Sequence, residues 1–318
     1  MNKRKNCPAC LCLSEQPNSK AIIAPWIREL ARVKARSSKY FICGECGTGW
    51  VDVNYTALNM NLLYADYRGP KYLRTRRKWE KTYSESFNAS IDSGHTHMDL
   101  RRAQMEKLIL KNSPSFLSTA KSVLDIGGGH GSLIPNWPGL NSKYVLDVSG
   151  VETLAGIRSI KSWSEIPVEE VLSLVMACGI LEHLTSPSEF IESITCEIQN
   201  SELMDSNSLF YFEVPAGVPS RKKQYLKFIF AWLFSHQTLV WNFYDRIQLK
   251  FGRASFPLRI AEHIQFFTPK GIEKLITLAG LEYLGSITYS AKESLEDSES
   301  VRFGEILGVV ARLPSNIS

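Results

Sequence analysis

The chain has 318 residues, 44% hydrophobic and 22% charged, with a formal net charge of +5. These proportions match a soluble globular protein of about two domains and exclude a collagen-like, low-complexity or extensively disordered chain. The N-terminal Met1-Asn-Lys-Arg-Lys-Asn6 is basic, but polar, cysteine-bearing sequence follows where a secretory signal needs an apolar run, so a cytoplasmic location is expected.

Cysteines dominate the first segment as Cys7-Pro-Ala-Cys10, Cys12 and Cys43-Gly-Glu-Cys46-Gly. Paired C-x-x-C knuckles present thiolates at the spacing of a tetrahedral zinc site, so Cys7, Cys10, Cys43 and Cys46 are the expected ligands of a small zinc-binding module over residues 1–57. The gap from Cys10 to Cys43 is longer than in common zinc ribbons, which implies an insertion around Ala24 to Arg36; Cys12 is the alternative to Cys10. Four thiolates leave no open coordination position, so the zinc is expected to be structural.

Residues 58–114 read as a helical connector. Lys71, Arg74, Arg76, Arg77, Lys78 and Lys81 concentrate positive charge there. A solvated helix face is the ordinary reading of such a run; phosphates or an acidic membrane surface are the alternative. An apolar stripe through Met98, Met105, Leu108 and Ile109 predicts an amphipathic helix closed by Asn112-Ser-Pro114.

Residues 115–318 change to short apolar strands alternating with helices, the pattern of a parallel sheet with crossover helices. Strands are expected at Ser122 to Ile126, Lys143 to Val148, Val171 to Ala177 and Leu209 to Val214, and an antiparallel edge pair at Leu284 to Tyr289 and Ile306 to Ala311. The first strand runs into Asp125-Ile-Gly-Gly-Gly-His-Gly131, with a helix expected after it. Glycines there let the backbone turn tightly and approach a ligand closely. Asp147 ends the next strand, where a carboxylate can accept hydrogen bonds from ribose hydroxyls. A dinucleotide-binding G-x-G-x-x-G loop counted from Gly127 needs glycine at 132, and Ser132 stands there; glycine recurs instead at Gly127, Gly129 and Gly131.

An acidic residue followed by G-x-G-x-G resembles the first motif of the class I S-adenosylmethionine-dependent methyltransferases. The resemblance runs from about Val123 to the C-terminus. It implies a doubly wound α/β fold with a mostly parallel seven-stranded sheet, a loop wrapping the methionine part of the cofactor with Asp125 near its amino group, and Asp147 on the ribose. The acid that this family often places after its third strand is missing from Ser159-Ile-Lys-Ser-Trp-Ser164, which leaves Trp163 as a candidate to stack on adenine.

Gly179-Ile-Leu-Glu-His-Leu-Thr-Ser-Pro187 resembles the family's fourth motif and places Glu182 and His183 at the carboxyl end of a strand, the edge where open α/β sheets bind ligands. For His183 a packing or capping role stands beside the chemical one. The insertion expected at 216–260 is rich in aromatics and bases, and covers substrate or contacts a membrane surface peripherally through 221–250. Polar residues interrupt its most hydrophobic part, Tyr225 to Tyr244, so no membrane span is expected.

Glu262-His263 before Phe266-Phe-Thr-Pro269, together with the paired knuckles, resembles the zinc-containing sugar methyltransferases of polysaccharide and natural-product pathways, including C-methyltransferases of nucleotide-linked keto-sugars. That resemblance makes Glu262 and His263 the candidate base pair. A hydroxyl, or a carbon beside a carbonyl, must lose a proton before it attacks a sulfonium methyl, and histidine titrates in the right range. A small-molecule acceptor, a sugar or sugar nucleotide, is therefore expected. A nucleic-acid methyltransferase binding through the zinc module and the basic run from Arg74 to Lys81 is the competing reading, disfavoured because no Asn-Pro-Pro-Tyr type motif follows the fourth strand; a non-catalytic protein that kept the fold is the third.

Overall fold

The computed structural model describes residues 6–14, 17–81, 83–86, 88–89, 95–218, 241, 259–260, 262–290 and 305–314. In chain order the elements are β1 (Ser19–Ile23), α1 (Pro25–Leu30), β2 (Ser37–Ile42), β3 (Gly49–Val51), α2 (Ala57–Tyr64), α3 (Pro70–Trp79), α4 (His95–Asn112), α5 (Phe116–Thr119), β4 (Ser122–Ile126), β5 (Ser142–Leu146), β6 (Arg158–Ile160), β7 (Leu174–Cys178), α6 (Pro187–Asn200), β8 (Leu209–Pro215), β9 (Arg259–Ile260), β10 (Gln265–Phe266), α7 (Pro269–Leu278), β11 (Glu282–Ser290) and β12 (Glu305–Arg312). They fall into two compact units. One comprises Met1–Cys7, Leu11–Gly94 and Val218–Phe266; the other comprises Pro8–Cys10, His95–Gly217 and Phe267–Ser318.

The first unit holds a five-stranded sheet in the order β10-β3-β2-β1-β9. Strands β1, β2 and β3 pair antiparallel in succession, and the sheet is extended at both edges by strands more than 200 positions further along the chain. Its core packs Ile22, Ile23, Trp26, Ile27, Tyr40, Leu63, Tyr72 and Trp241. Helix α3 starts where it does for local reasons. Pro70 occupies its first turn, where a missing N–H costs nothing, and the Asp66 carboxylate accepts from the backbone N–H groups of Lys71 (2.7 Å) and Tyr72 (3.1 Å). Most of the insertion expected at 216–260, including nearly all of 221–250, lies outside the described residues.

The second unit holds a seven-stranded sheet in the order β11-β12-β8-β7-β4-β5-β6. Numbered along this sheet's own chain order, that is 6-7-5-4-1-2-3. Strands β6, β5, β4, β7 and β8 run parallel, while β12 and β11 add antiparallel. Here the expected fold class and edge pair are met. Strand direction along the order reverses its connection between β4 and β7, which is the switch point where such sheets leave a crevice beyond their carboxyl ends. The core joins Met105, Leu108 and Ile109 of α4 to Val123, Val145, Leu174, Met176 and Val310 of the sheet. Each fully buried apolar side chain of this size stabilises by about 1.5–3 kcal/mol over leaving it in water.

Two local expectations are corrected. No helix follows the glycine loop: residues 129–134 form turns and a bend, because Pro135, Asn136, Pro138 and Gly139 deny the chain the unbroken run a helix needs. The short strand β6 was not read from sequence, since three residues offer too little alternation to register.

Candidate active site

The glycine loop leaves β4 with Gly127, Gly129 and Gly131 at φ of 67°, 55° and 79°. Any other residue would be strained at these angles. Two of them are also packed too closely for a side chain: a Cβ at Gly127 would lie 2.5 Å from Ile180 Cδ1, and one at Gly131 2.7 Å from Ile157 Cδ1. A Cβ at Gly129 would meet nothing nearer than Val151 at 3.9 Å, so the middle of the loop presents bare backbone.

Asp147 follows β5 and pins this loop. Its Oδ2 accepts the Gly129 backbone N–H at 2.9 Å, and its Oδ1 accepts the Ser149 N–H at 2.7 Å and the Ser149 hydroxyl at 2.5 Å. Trp163 follows β6 in a single 3-10 turn, Trp163–Glu165, and is half-buried.

Asp125 lies under the loop, so close that a Cβ on Gly128 would sit 2.3 Å from its Oδ2. It is fully buried, and neither carboxylate oxygen has a hydrogen-bond partner in the structure. Burial pushes its pKa up; Arg101 opposes this, Asp147 and Glu213 add to it, and the result is about 7. A buried polar group without a partner costs about 1–3 kcal/mol, and more when charged. Positive-φ glycines, open backbone at Gly129 and an unpartnered carboxyl beneath together fit a ligand that brings a cation to the loop.

Beside Asp125 is a network that the sequence reading missed. Arg101 of α4 pairs with Glu213 of β8 (Nη2–Oε1 2.5 Å, Nε–Oε1 2.6 Å). The hydroxyls of Tyr211 and Tyr289 donate to Glu213 Oε2 at 3.0 and 2.8 Å. Burial depresses the Arg101 pKa, but Glu213 and Cys178 outweigh it and hold the guanidinium firmly charged. The Cys178 thiol, at the end of β7, is pushed far above its ordinary range by burial, then by Glu213 and Asp125. One signal was available: Glu213 is the lone charge in the apolar strand Leu209–Pro215, and a charge is seldom fully buried without a purpose.

After β7, Leu181–His183 form one 3-10 turn. The His183 Nε2 lies 3.8 Å from Glu182 Oε1, and both side chains are largely buried.

Glu262 and His263 belong to the first unit, and Glu262 is held by α3. Its Oε1 accepts from the Tyr72 hydroxyl and lies 3.5 Å from Arg76 Nη1. The Arg76 guanidinium also binds Tyr72 (2.5 Å) and Glu80 (3.1 Å), and it sits 3.8 Å over the Tyr83 ring and 4.6 Å over the Trp26 ring. Burial lowers its pKa, and Tyr72, Glu262 and Glu80 raise it by more. The solvated-face reading of the basic run is thus corrected at one position. Lys71, Arg74, Arg77, Lys78 and Lys81 are exposed, but Arg76 points inward, where aromatic faces and two carboxylates compensate its charge.

Ligand atoms of Cys7, Cys10, Cys43 and Cys46 lie within 4.8 Å of one another, and the Cys7 and Cys46 Sγ atoms are 3.6 Å apart. Two thiolates on one tetrahedral zinc at 2.3 Å stand about 3.8 Å apart. The donor set therefore fits, and it takes Cys10 in place of Cys12. Among the described residues no helix is long and apolar enough to cross a membrane.

Residues 97–285, more than half of the chain, match the family model described as "Methyltransferase domain", and the chain belongs to that family. It is an S-adenosylmethionine-dependent methyltransferase. Solved structures with similar coordinates include magnesium protoporphyrin IX methyltransferase from Synechocystis PCC 6803 with bound S-adenosylhomocysteine (14% identity, 76% of this chain and 93% of that one, TM-score 0.38). An S-adenosylmethionine-dependent methyltransferase from Clostridium acetobutylicum ATCC 824 also matches (11%, 65% and 89%, TM-score 0.34), as does an O-methyltransferase family protein from Burkholderia thailandensis (14%, 68% and 58%, TM-score 0.33). No curated protein matches the chain.

Proposed function

We propose that the enzyme methylates a small molecule, a sugar or nucleotide-linked sugar, with His263 as general base and Glu262 as its fixed carboxylate neighbour. The observation that carries the assignment is the anchoring of Glu262 by Tyr72 and Arg76, which sets the backbone of the adjacent His263 on a rigid support. The sugar class is supported by the likeness of Glu262-His263 and the paired knuckles to the zinc-containing sugar methyltransferases.

Residues 115–318 act as the catalytic domain. S-adenosylmethionine supplies an electrophilic methyl group. Asp125 would take the cofactor's ammonium, Asp147 its ribose, the Gly127 to Gly131 backbone its amino-acid portion, and Trp163 would stack on adenine; His183 with Glu182 follows the carboxyl end of β7. With the cofactor bound as methyl donor, His263 would accept the proton of the acceptor oxygen or carbon. Alignment of acceptor and methyl supplies much of the acceleration. Cys7, Cys10, Cys43 and Cys46 hold a structural zinc, so one equivalent of the metal is expected by elemental analysis, falling to near zero in Cys43→Ser.

Incubation with labelled cofactor and a panel of nucleotide-linked sugars, keto-sugars included, tests the acceptor. His263→Ala is expected to cut turnover about 10²–10⁴-fold, the usual contribution of a general base, with cofactor affinity unchanged. Unchanged turnover removes His263 from the role, and a panel without labelled product removes the sugar.

A further inference from the structure

Asp125 and Arg101 are a buried acid and a buried base in one unit, yet they do not pair. Arg101 gives its short hydrogen bonds to Glu213 instead, and Glu213 is locked in turn by the hydroxyls of Tyr211 and Tyr289. The charged groups that act on Asp125 are Arg101 from α4, Asp147 beyond β5 and Glu213 from β8, and Asp125 in turn acts on Cys178 at the end of β7. Among the described residues Arg101 is the cation acting on it, and its hydrogen bonds go to Glu213.

We propose that Glu213 is a positioning residue for the cofactor's amino-acid end. By engaging Arg101 it takes up that guanidinium's hydrogen bonds, so that Asp125, protonated in its buried site, keeps both oxygens for the ammonium of the cofactor, whose arrival releases the proton to solvent. Burial keeps the acid neutral, and the network leaves both its oxygens free for one incoming cation. This rests on the placement of the cofactor ammonium at Asp125 proposed above, and it adds the role of Glu213 and the proton.

The linkage has a definite sign. With Asp125 near 7 in the free protein, a ligand that needs its ionised form must displace a proton below that pH. Affinity then rises about tenfold per pH unit up to about 7 and levels off. Titration calorimetry on the full chain with S-adenosylhomocysteine, between pH 5.5 and 7.5 in two buffers of different ionisation enthalpy, reads both affinity and protons released. The range stops below the loss of an α-amino proton, about 7.7–8.0.

For the wild type, close to one proton released at pH 6 is expected. Glu213→Gln still accepts from both tyrosines but frees the charge of Arg101, so proton release at pH 6 should fall, the pH dependence move to lower pH, and binding at pH 7.5 weaken. Asp125→Asn, which replaces a group making no hydrogen bond, should bind with no proton release and no pH dependence. Wild-type binding without a proton, or Glu213→Gln with wild-type linkage, overturns the proposal. Asp125→Asn binding as tightly as wild type at every pH overturns instead the placement of the ammonium.

Discussion

Arg76 in the first unit and Asp125 in the second are both buried ionisable groups, and the protein treats them in opposite ways. Arg76 is given everything a charge needs in a core: two carboxylates, a phenol and the faces of two aromatic rings. Asp125 is given no hydrogen-bond partner, and Arg101, whose charge acts on it, is turned toward Glu213. A fully compensated charge has no reason to move, and Arg76 serves to fix α3 and Glu262. An unpartnered acid held neutral by burial is instead left open to a ligand of the right charge.

The comparison breaks most visibly at Arg76. Arg76→Met removes the guanidinium beside Glu80 and Glu262, and removing one partner of a buried pair costs about 3–5 kcal/mol, to be read from urea unfolding. A change below 1 kcal/mol would mean the cage is not compensating the charge.

At Asp125 the effect appears in the pH dependence of stability. Its value is near 3.8 unfolded and about 7 folded, so the folded state binds the extra proton. The stabilisation from that proton is complete below the unfolded value and is lost as pH rises through the folded one. Between pH 5 and 8 the free protein should lose about 2–3 kcal/mol through this group. Asp125→Asn should flatten that slope, and saturating S-adenosylhomocysteine should reduce it in the wild type.

Tyr72→Phe is the mildest probe. It removes the hydroxyl between Arg76 and Glu262 but keeps the ring, and should cost about 0.5–1.5 kcal/mol by thermal denaturation. A loss nearer the Arg76→Met value would assign the cage's strength to hydrogen bonds and not to ring faces.

Much of the second unit was legible. Ser122–Ile126 is the strand that the apolar pattern predicts, and glycines at 127, 129 and 131 declare positive-φ positions because no other residue adopts them cheaply. The expected helix after the loop failed because proline and glycine at 135–139 outweigh the apolar residues around them. The first unit was less legible. Its knuckles could be read from spacing, but the pairing of Arg259–Ile260 with β1 and of Gln265–Phe266 with β3 links segments whose local sequence gives no sign of their partners.

By itself the sequence determined what is encoded within a few residues: the thiol pairs, the turns glycine makes at least strain, the strand order's raw material and the acids at strand ends. The tertiary structure alone decided which charges are compensated. Arg76 is one of six cations in a run, and only packing turns it inward. Arg101, Glu213, Tyr211 and Tyr289 are separated by up to 188 positions, and only the closing of β12 and β11 onto β8 brings them together. Coulomb and desolvation energies depend on distance and burial in three dimensions, and neither is written in the order of the residues.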